Sequence, residues 1–256
     1  MAVLSLENVV IRYGSHVAVA GLSLQVRAGE IYGLLGPNGC GKSSTIGAVA
    51  GDRPYAEGCI RLGGLRERDA PLAYRRRLGL VPQELALYED LSARRNLHLF
   101  GRLYGLAGAS LKLRIDEVLG FARLSEHADR VVRTFSGGMQ RRLNLACALM
   151  HAPPLLLLDE PTVGLDVQSR DAVFACLRAL RDGGTAMVFT THHLAEAELL
   201  CDRVGIMDQG RLIAAGTPAE LCAGAPTWRV DAAHGPRQPR LERVFLDLTG
   251  RSVREA

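Results

Sequence analysis

The sequence predicts an α/β fold: a mostly parallel sheet, an antiparallel β subdomain at the N-terminal end and a helical subdomain at about residues 84–150. Three observations carry this. The glycine-rich segment Gly36-Pro37-Asn38-Gly39-Cys40-Gly41-Lys42-Ser43 stands between an apolar strand pattern and a helical one. From Leu155 onward, short apolar runs alternate with helical patterns, as they do where crossover helices join parallel strands. From about Tyr88 to Arg130 the periodicity is helical only. A core of this kind is that of a P-loop NTPase.

Residues 3–35 read as short strands with turns at Tyr13-Gly14-Ser15 and Arg27-Ala28-Gly29. Ile31 to Leu35 is a buried strand that runs into the glycine-rich turn and then a helix ending near Gly51. Leu78 to Val81 is a short strand stopped by Pro82, and Ser92 caps a helix over Ala93 to Tyr104. A helix from about Gly137 to Met150 places Leu143, Ala146, Cys147 and Met150 on one face. Then come a strand (Leu155–Asp159), a helix (about 167–181), a strand (Ala186–Thr190), a helix (about 194–200) and a strand (Val204–Met207). Gly210 turns the chain into a last strand near Leu212–Ala215. After Gly224 the tail is polar through His234-Gly-Pro-Arg-Gln-Pro, before an amphipathic close over Leu241 to Leu248.

Composition narrows the function classes. The 256 residues are 48% hydrophobic, which suits one large globular domain, or a core with a subdomain. With 31 basic and 27 acidic side chains the formal charge is +4, too small for a nucleic-acid footprint, so no nucleic-acid partner is expected. Lys42 and Lys112 are the only lysines; the other 29 basic residues are arginine. Six cysteines make no CxxC pair, which predicts neither a zinc site nor a disulfide framework and fits a reducing cytoplasm. The segment Met1 to Asn8 does not read as a signal peptide. The most apolar run, Pro153 to Leu158, falls far short of the roughly 20 residues that cross a bilayer, so a soluble chain is expected.

The chemistry begins at Gly36–Ser43, which fits G-x-x-x-x-G-K-[ST] and continues into Ser44. Glycines let successive backbone N–H groups turn inward around phosphate oxygens, and the helix that follows adds its positive end. The motif gives Lys42 the β- and γ-phosphates and Ser43 a Mg²⁺ ion. Leu155-Leu156-Leu157-Leu158-Asp159-Glu160-Pro161 is its acidic counterpart. Asp159 ends the strand, placed to hold Mg²⁺ through water, and Glu160 is placed to polarise an attacking water as general base. A second anion-binding helix start, Ser136-Gly137-Gly138, follows 100 residues after Gly36. One nucleotide in one monomer does not need two such cradles. A head-to-tail pair does, each cradle completing the other's site. Alone, the segment also reads as an ordinary N-cap with a flexible Gly-Gly.

With these motifs in this order, residues 3–224 resemble the nucleotide-binding cassette of ATP-binding-cassette (ABC) transporters, leaving 225–256 as a short C-terminal extension. The resemblance implies that Tyr13 stacks on adenine and that Gln83 reaches Mg²⁺ and the attacking water. It implies that Ser136–Gly138 is the signature loop, that Asp166 in Gly164-Leu165-Asp166 lies in the dimer-contact loop, and that His192 holds the γ-phosphate. It further implies ATP and Mg²⁺ as ligands, an ATP-bound homodimer, and a separate transmembrane permease subunit that holds the chain at the cytoplasmic face of the membrane. Taken singly, Tyr13 reads as a packing residue and Gln83 as a surface-loop residue. Of the adjacent His192 and His193 only one can enter the site, and the strand end favours His192.

Two departures refine the resemblance. Phe135 and Met139 flank the signature glycines where Leu and Gln are commonest, and Ser136-Gly137-Gly138-Met139 followed by Gln140-Arg141-Arg142-Leu143 looks like the ABC-2 type exporter branch. The ending from Leu241 to Arg251 is also similar to that branch. Cys40 stands where alanine or serine is common, either a tolerated small residue or a redox-sensitive one. The reading is an ATP-hydrolysing exporter subunit. Its alternatives are a soluble ABC protein acting on nucleic acid or the ribosome, and a regulator that binds ATP without cleaving it.

Overall fold

In the computed structural model, residues 2–223 and 240–250 are described. Strands β1 (Ala2–Tyr13) and β2 (His16–Arg27) form an antiparallel hairpin, each 12 residues long rather than several short pieces. A bulge explains the difference. Leu4 and Leu6 are buried, as are Val9 and Ile11, so the inward-facing set slips by one residue. Asn8 absorbs the slip in the left-handed region, at φ 49°, and its N–H donates to Ser23 Oγ. Read without the bulge, the alternation breaks and the strand looks finished.

Strand β3 (Ile31–Leu35) leads through Gly36–Gly41 into α1 (Lys42–Ala50), which Gly51 ends with φ 75°. Next come β4 (Glu57–Leu62), β5 (Leu65–Arg66) and α2 (Pro71–Arg75), then β6 (Leu78–Val81). The sequence did not reveal β4, β5 or α2, whose six, two and five residues are too short to show a period. Helices α3 (Ala93–Leu103), α4 (Gly108–Phe121) and α5 (Gly137–Ala148) follow. Ser92 caps α3 by accepting from the Arg95 N–H.

The alternation after residue 154 takes the expected form. It runs through β7 (Leu155–Asp159), α6 (Val167–Asp182), β8 (Ala186–Thr191), α7 (Leu194–Leu200), β9 (Arg203–Asp208) and β10 (Arg211–Gly216). Helix α8 (Pro218–Ala223) and then α9 (Arg240–Thr249) close the described chain. The polar stretch at His234 lies outside the described residues. The amphipathic close does not: Leu241, Val244 and Phe245 of α9 are buried, and the helix packs on α7 and α8.

Among the described residues, β2-β1-β4-β5 form an antiparallel sheet. A second sheet has the order β10-β9-β3-β8-β7-β6 and is parallel except at β10. Its central strands β3, β7 and β8 are covered on both faces. Leu156 and Leu158 of β7 pack in the helical cluster with Leu143, while Leu155 and Leu157 pack towards α1 and the antiparallel sheet. Burial on both sides is why β7 reads as an unbroken run of leucine instead of an alternating one. The carboxyl ends of β3, β6, β7 and β8 lie side by side. Crevices of this kind are where open parallel sheets bind ligands.

Candidate functional site

At the carboxyl end of β3 the chain turns tightly through Gly36–Gly41. Gly41 has φ 108°, and a Cβ there would stand 2.5 Å from the Ala18 carbonyl oxygen. Gly39, at φ 75°, faces open space. The first turn of α1 has neither a capping side chain nor an acidic residue, so its positive end stays uncompensated. Lys42 is buried, and its ammonium donates to the carbonyls of Gly36 at 2.7 Å and Pro37 at 2.9 Å. It is therefore held above the turn by the turn's own backbone. Cys40 is buried beneath, with its sulfur where a Cβ on Gly36 would fall. Burial pushes its thiol pKa up, against the opposing pull of Lys42.

The carboxyl ends of β7 and β8 face this turn. Thr190, fully buried in β8, donates its hydroxyl to Asp159 Oδ1 at 2.6 Å. The Glu160 N–H is held by Thr190 twice, at its hydroxyl (3.0 Å) and its carbonyl (3.2 Å). Glu160 itself lies in the left-handed region at φ 47°, an uncommon conformation for a residue with a side chain. Its Oε1 lies 3.2 Å from His192 Nδ1. A cleft of about 430 Å³ is lined by Asn38, Gly39, Gly41, Lys42, Ser43, Ser44, Gln83, Glu160, Val163 and His192. Asp159 stands one residue behind its wall, and His193 turns out to the surface.

Tyr13 is not a core residue. It is 42% exposed at the end of β1, where its hydroxyl donates to Ser44 Oγ at 3.3 Å and accepts from Arg53 at 2.9 Å. The ring is thus held beside the start of α1, with the Arg53 guanidinium 5.8 Å from its centroid. Ser136–Gly138 does not line this cleft. Ser136 caps α5 by accepting from the Met139 N–H, Gly137 faces open space, and Gly138 is pressed against α6, where a Cβ would stand 2.3 Å from Ser169 Oγ. Asp166 caps α6, both its oxygens taken by Ser169 at 2.8 and 2.9 Å. The Ser136 turn and the Asp166 turn therefore meet at Ser169, apart from the Gly36–Gly41 turn of the same chain.

Three supporting residues escaped the sequence reading. In the sequence Thr190 is only the last residue of a strand. Glu196, buried in α7, accepts from Thr162 at 2.7 Å and Thr191 at 3.1 Å and lies 3.6 Å from Arg170, so it ties the segments after Glu160 and before His192. Arg141, in α5, donates to the carbonyls of Pro82 at 3.1 Å and Gln83 at 3.0 Å. Except for Thr191 with Glu196, those contacts join segments dozens of residues apart, and nothing local announces them. Chemically, Ser43, Gln83 and Asp159 offer oxygen donors suited to a hard cation, and Glu160 offers a carboxylate at the cleft mouth.

The ABC transporter family model matches residues 19–163. The chain is 45% identical to the linearmycin resistance ATP-binding protein LnrL of Bacillus subtilis over 86% of its length and 71% of that protein. It is 46% identical to the Nod factor export ATP-binding protein I of Cupriavidus metallidurans, over 86% of this chain and 73% of that one. A solved ATP-binding subunit of an ABC transporter superposes with a TM-score of 0.81 at 29% identity, covering 96% of this chain and 99% of that structure. The chain thus belongs to the ABC transporter family, as one of its ATP-binding subunits.

Proposed function

We propose that the chain hydrolyses Mg²⁺-bound ATP and thereby powers export through a separate membrane-spanning permease. The observation that carries the hydrolytic part is the convergence on one cleft of Lys42, Ser43, Gln83, Glu160 and His192. Lys42 and the Gly36–Gly41 amides receive the phosphates, and Tyr13 receives the adenine face. Ser43, Gln83 and Asp159 are oxygen donors too few to cage a cation unaided, which fits a Mg²⁺ that arrives on the nucleotide and keeps phosphate and water ligands. The ion supplies charge neutralisation on the phosphate oxygens. Glu160 orients the attacking water and takes its proton. His192, positioned by Glu160, steadies the γ-phosphate as charge develops, and positioning supplies most of the acceleration.

Pairing is supported by the placement of Ser136–Gly138 outside the cleft of its own chain. Two copies arranged head to tail bring each Ser136 turn to the other's nucleotide, and hydrolysis lets them part. Export is supported by the names of the relatives, which concern export and resistance rather than nucleic acid or ribosomes. Among the described residues no helix is long and apolar enough to cross a membrane, so the spanning part falls to a partner. A groove of about 200 Å³ beside the Gln83 loop, between Leu80, Ala86, Phe100 and Tyr104, is where we place that permease.

The test is Glu160→Gln. The expected outcome is a stable ATP-bound dimer, seen by size-exclusion chromatography, with little phosphate release. Hydrolysis at the wild-type rate would remove Glu160 as the base.

A further inference from the structure

Arg141 is a charged side chain in an uncharged place. It is 6% exposed, and among the described residues it forms no ion pair. Its three hydrogen bonds all end on main-chain oxygens, one on Pro82 at 3.1 Å and two on Gln83 at 3.0 Å each. Burial alone lowers its pKa, with no acidic neighbour to raise it again. Three residues along the same helix, Asn144 accepts from the Ala86 N–H at 3.3 Å. The segment Pro82–Ala86 is therefore pinned from below by two side chains of α5.

A guanidinium buried without a counter-charge is a poor device for stability alone, because an apolar side chain of the same volume avoids the desolvation. What it provides is direction. The planar fork fixes two successive carbonyls of the one loop whose side chain, Gln83, enters the cleft. The same helix starts at Ser136–Gly138.

We infer that Arg141 is the positioning residue for Gln83, and that it ties the helix beginning at the Ser136 turn to the loop that serves the nucleotide site. The inference rests on the proposed role of Gln83. A displacement of the Ser136 turn on pairing is then passed along α5 and delivered through the fork to Gln83.

Arg142 supplies an internal control. It is the next residue on α5 and also bonds main-chain carbonyls, those of Ala122 at 2.7 Å and Arg123 at 3.2 Å, away from the cleft.

The experiment uses the full chain and measures steady-state ATP hydrolysis together with amide hydrogen exchange over residues 82–86. Arg141→Met is expected to lower kcat roughly tenfold or more with KM for ATP little changed, because positioning and not binding is lost. Its Gln83–Ala86 amides exchange faster. Arg141→Lys, which keeps a cation without the fork, recovers part of the rate, and it carries the test if the methionine variant does not fold. Arg142→Met lowers thermal stability without changing kcat. Arg141→Met combined with Gln83→Ala is no slower than Gln83→Ala alone. Unchanged exchange, fully multiplicative losses in the double variant, or an equal loss of kcat in Arg142→Met would overturn the inference. If Gln83→Ala alone turns over at the wild-type rate, the proposed role of Gln83 fails. That result is read without any Arg141 variant and takes the inference with it.

Discussion

His192 Nδ1 and Glu160 Oε1 stand 3.2 Å apart, a contact that bridges the carboxyl ends of neighbouring strands β8 and β7. The backbone at Glu160 and just after His192 is fixed as well. The Glu160 backbone, at φ 47°, is held by the carbonyl and hydroxyl of Thr190, and Thr191 accepts from the His193 N–H at 2.9 Å. A side-chain residue in the left-handed region persists only where its surroundings over-determine it. Here they do, and the carboxylate is presented to the cleft with little freedom to turn away.

If the two side chains act as a unit, their losses will not multiply. His192→Ala is expected to reduce kcat by roughly 100-fold or more while ATP binding persists. Adding it to Glu160→Gln is expected to change the residual rate little. Phosphate release from the two single variants and the double variant decides the matter; independent, multiplying losses would separate the two roles.

Lys42→Arg tests why the Gly36–Gly41 turn is followed by a lysine in a chain where 29 of 31 basic residues are arginine. The ammonium sits 2.7 and 2.9 Å from two carbonyls of a closed turn. A guanidinium is wider and planar and does not fit that spacing. Nucleotide affinity, measured with a fluorescent ATP analogue, is expected to fall by about tenfold or more with the fold intact by circular dichroism. Wild-type affinity would show that charge alone suffices.

Thr190→Val removes one hydroxyl and almost no volume. Asp159 loses its 2.6 Å donor and the Glu160 N–H loses one of its two acceptors. Urea unfolding is expected to show a loss of about 1–3 kcal/mol. The Mg²⁺ concentration giving half-maximal hydrolysis should rise as well. A variant indistinguishable in both measurements would make the Thr190 bonds incidental.

The two glycines of the Ser136 turn make opposite predictions. Gly138→Ala drives a methyl into Ser169, 2.3 Å from its oxygen, and is expected to destabilise the monomer by about 1–3 kcal/mol. Gly137→Ala meets nothing within 4 Å, so stability holds or improves, alanine being the better helix former. Its effect should appear only in ATP-dependent pairing of the Glu160→Gln background, which weakens because the methyl blocks close approach. Equal stability losses in both would contradict the geometry.

Cys40 is expected to react slowly with N-ethylmaleimide in the folded chain. It is 3% exposed, and burial holds its thiol pKa above the ordinary value, so little thiolate forms near neutral pH. Mass spectrometry of the labelled chain before and after unfolding gives the comparison. Rapid modification of the folded chain would restore redox sensing as a role.

The candidate site residues that stand in short consecutive motifs are legible in the sequence. Lys42, Ser43, Asp159 and Glu160 belong to two short motifs with a strand beside each, and His192 was separable from His193 by its distance from the strand end. Long strands were less so, because the bulge at Asn8 breaks the alternation on which the eye depends. Thr190, Arg141 and Glu196 were invisible in their roles. Their partners lie across the sheet or a subdomain away, and tertiary geometry alone brings them together. Tyr13 taken singly read as packing, yet it is exposed and tethered by Ser44 and Arg53, neither of which is its neighbour in sequence.

Helix α9 buries Leu241, Val244 and Phe245 against α7, the helix that begins two residues after His192. A chain shortened to its first 224 residues would keep every phosphate-site motif and still lose the backing plate of the histidine segment. Such a fragment would present a raw apolar scar on α7, and its defects in solubility and turnover would be easily mistaken for a flaw in the site itself.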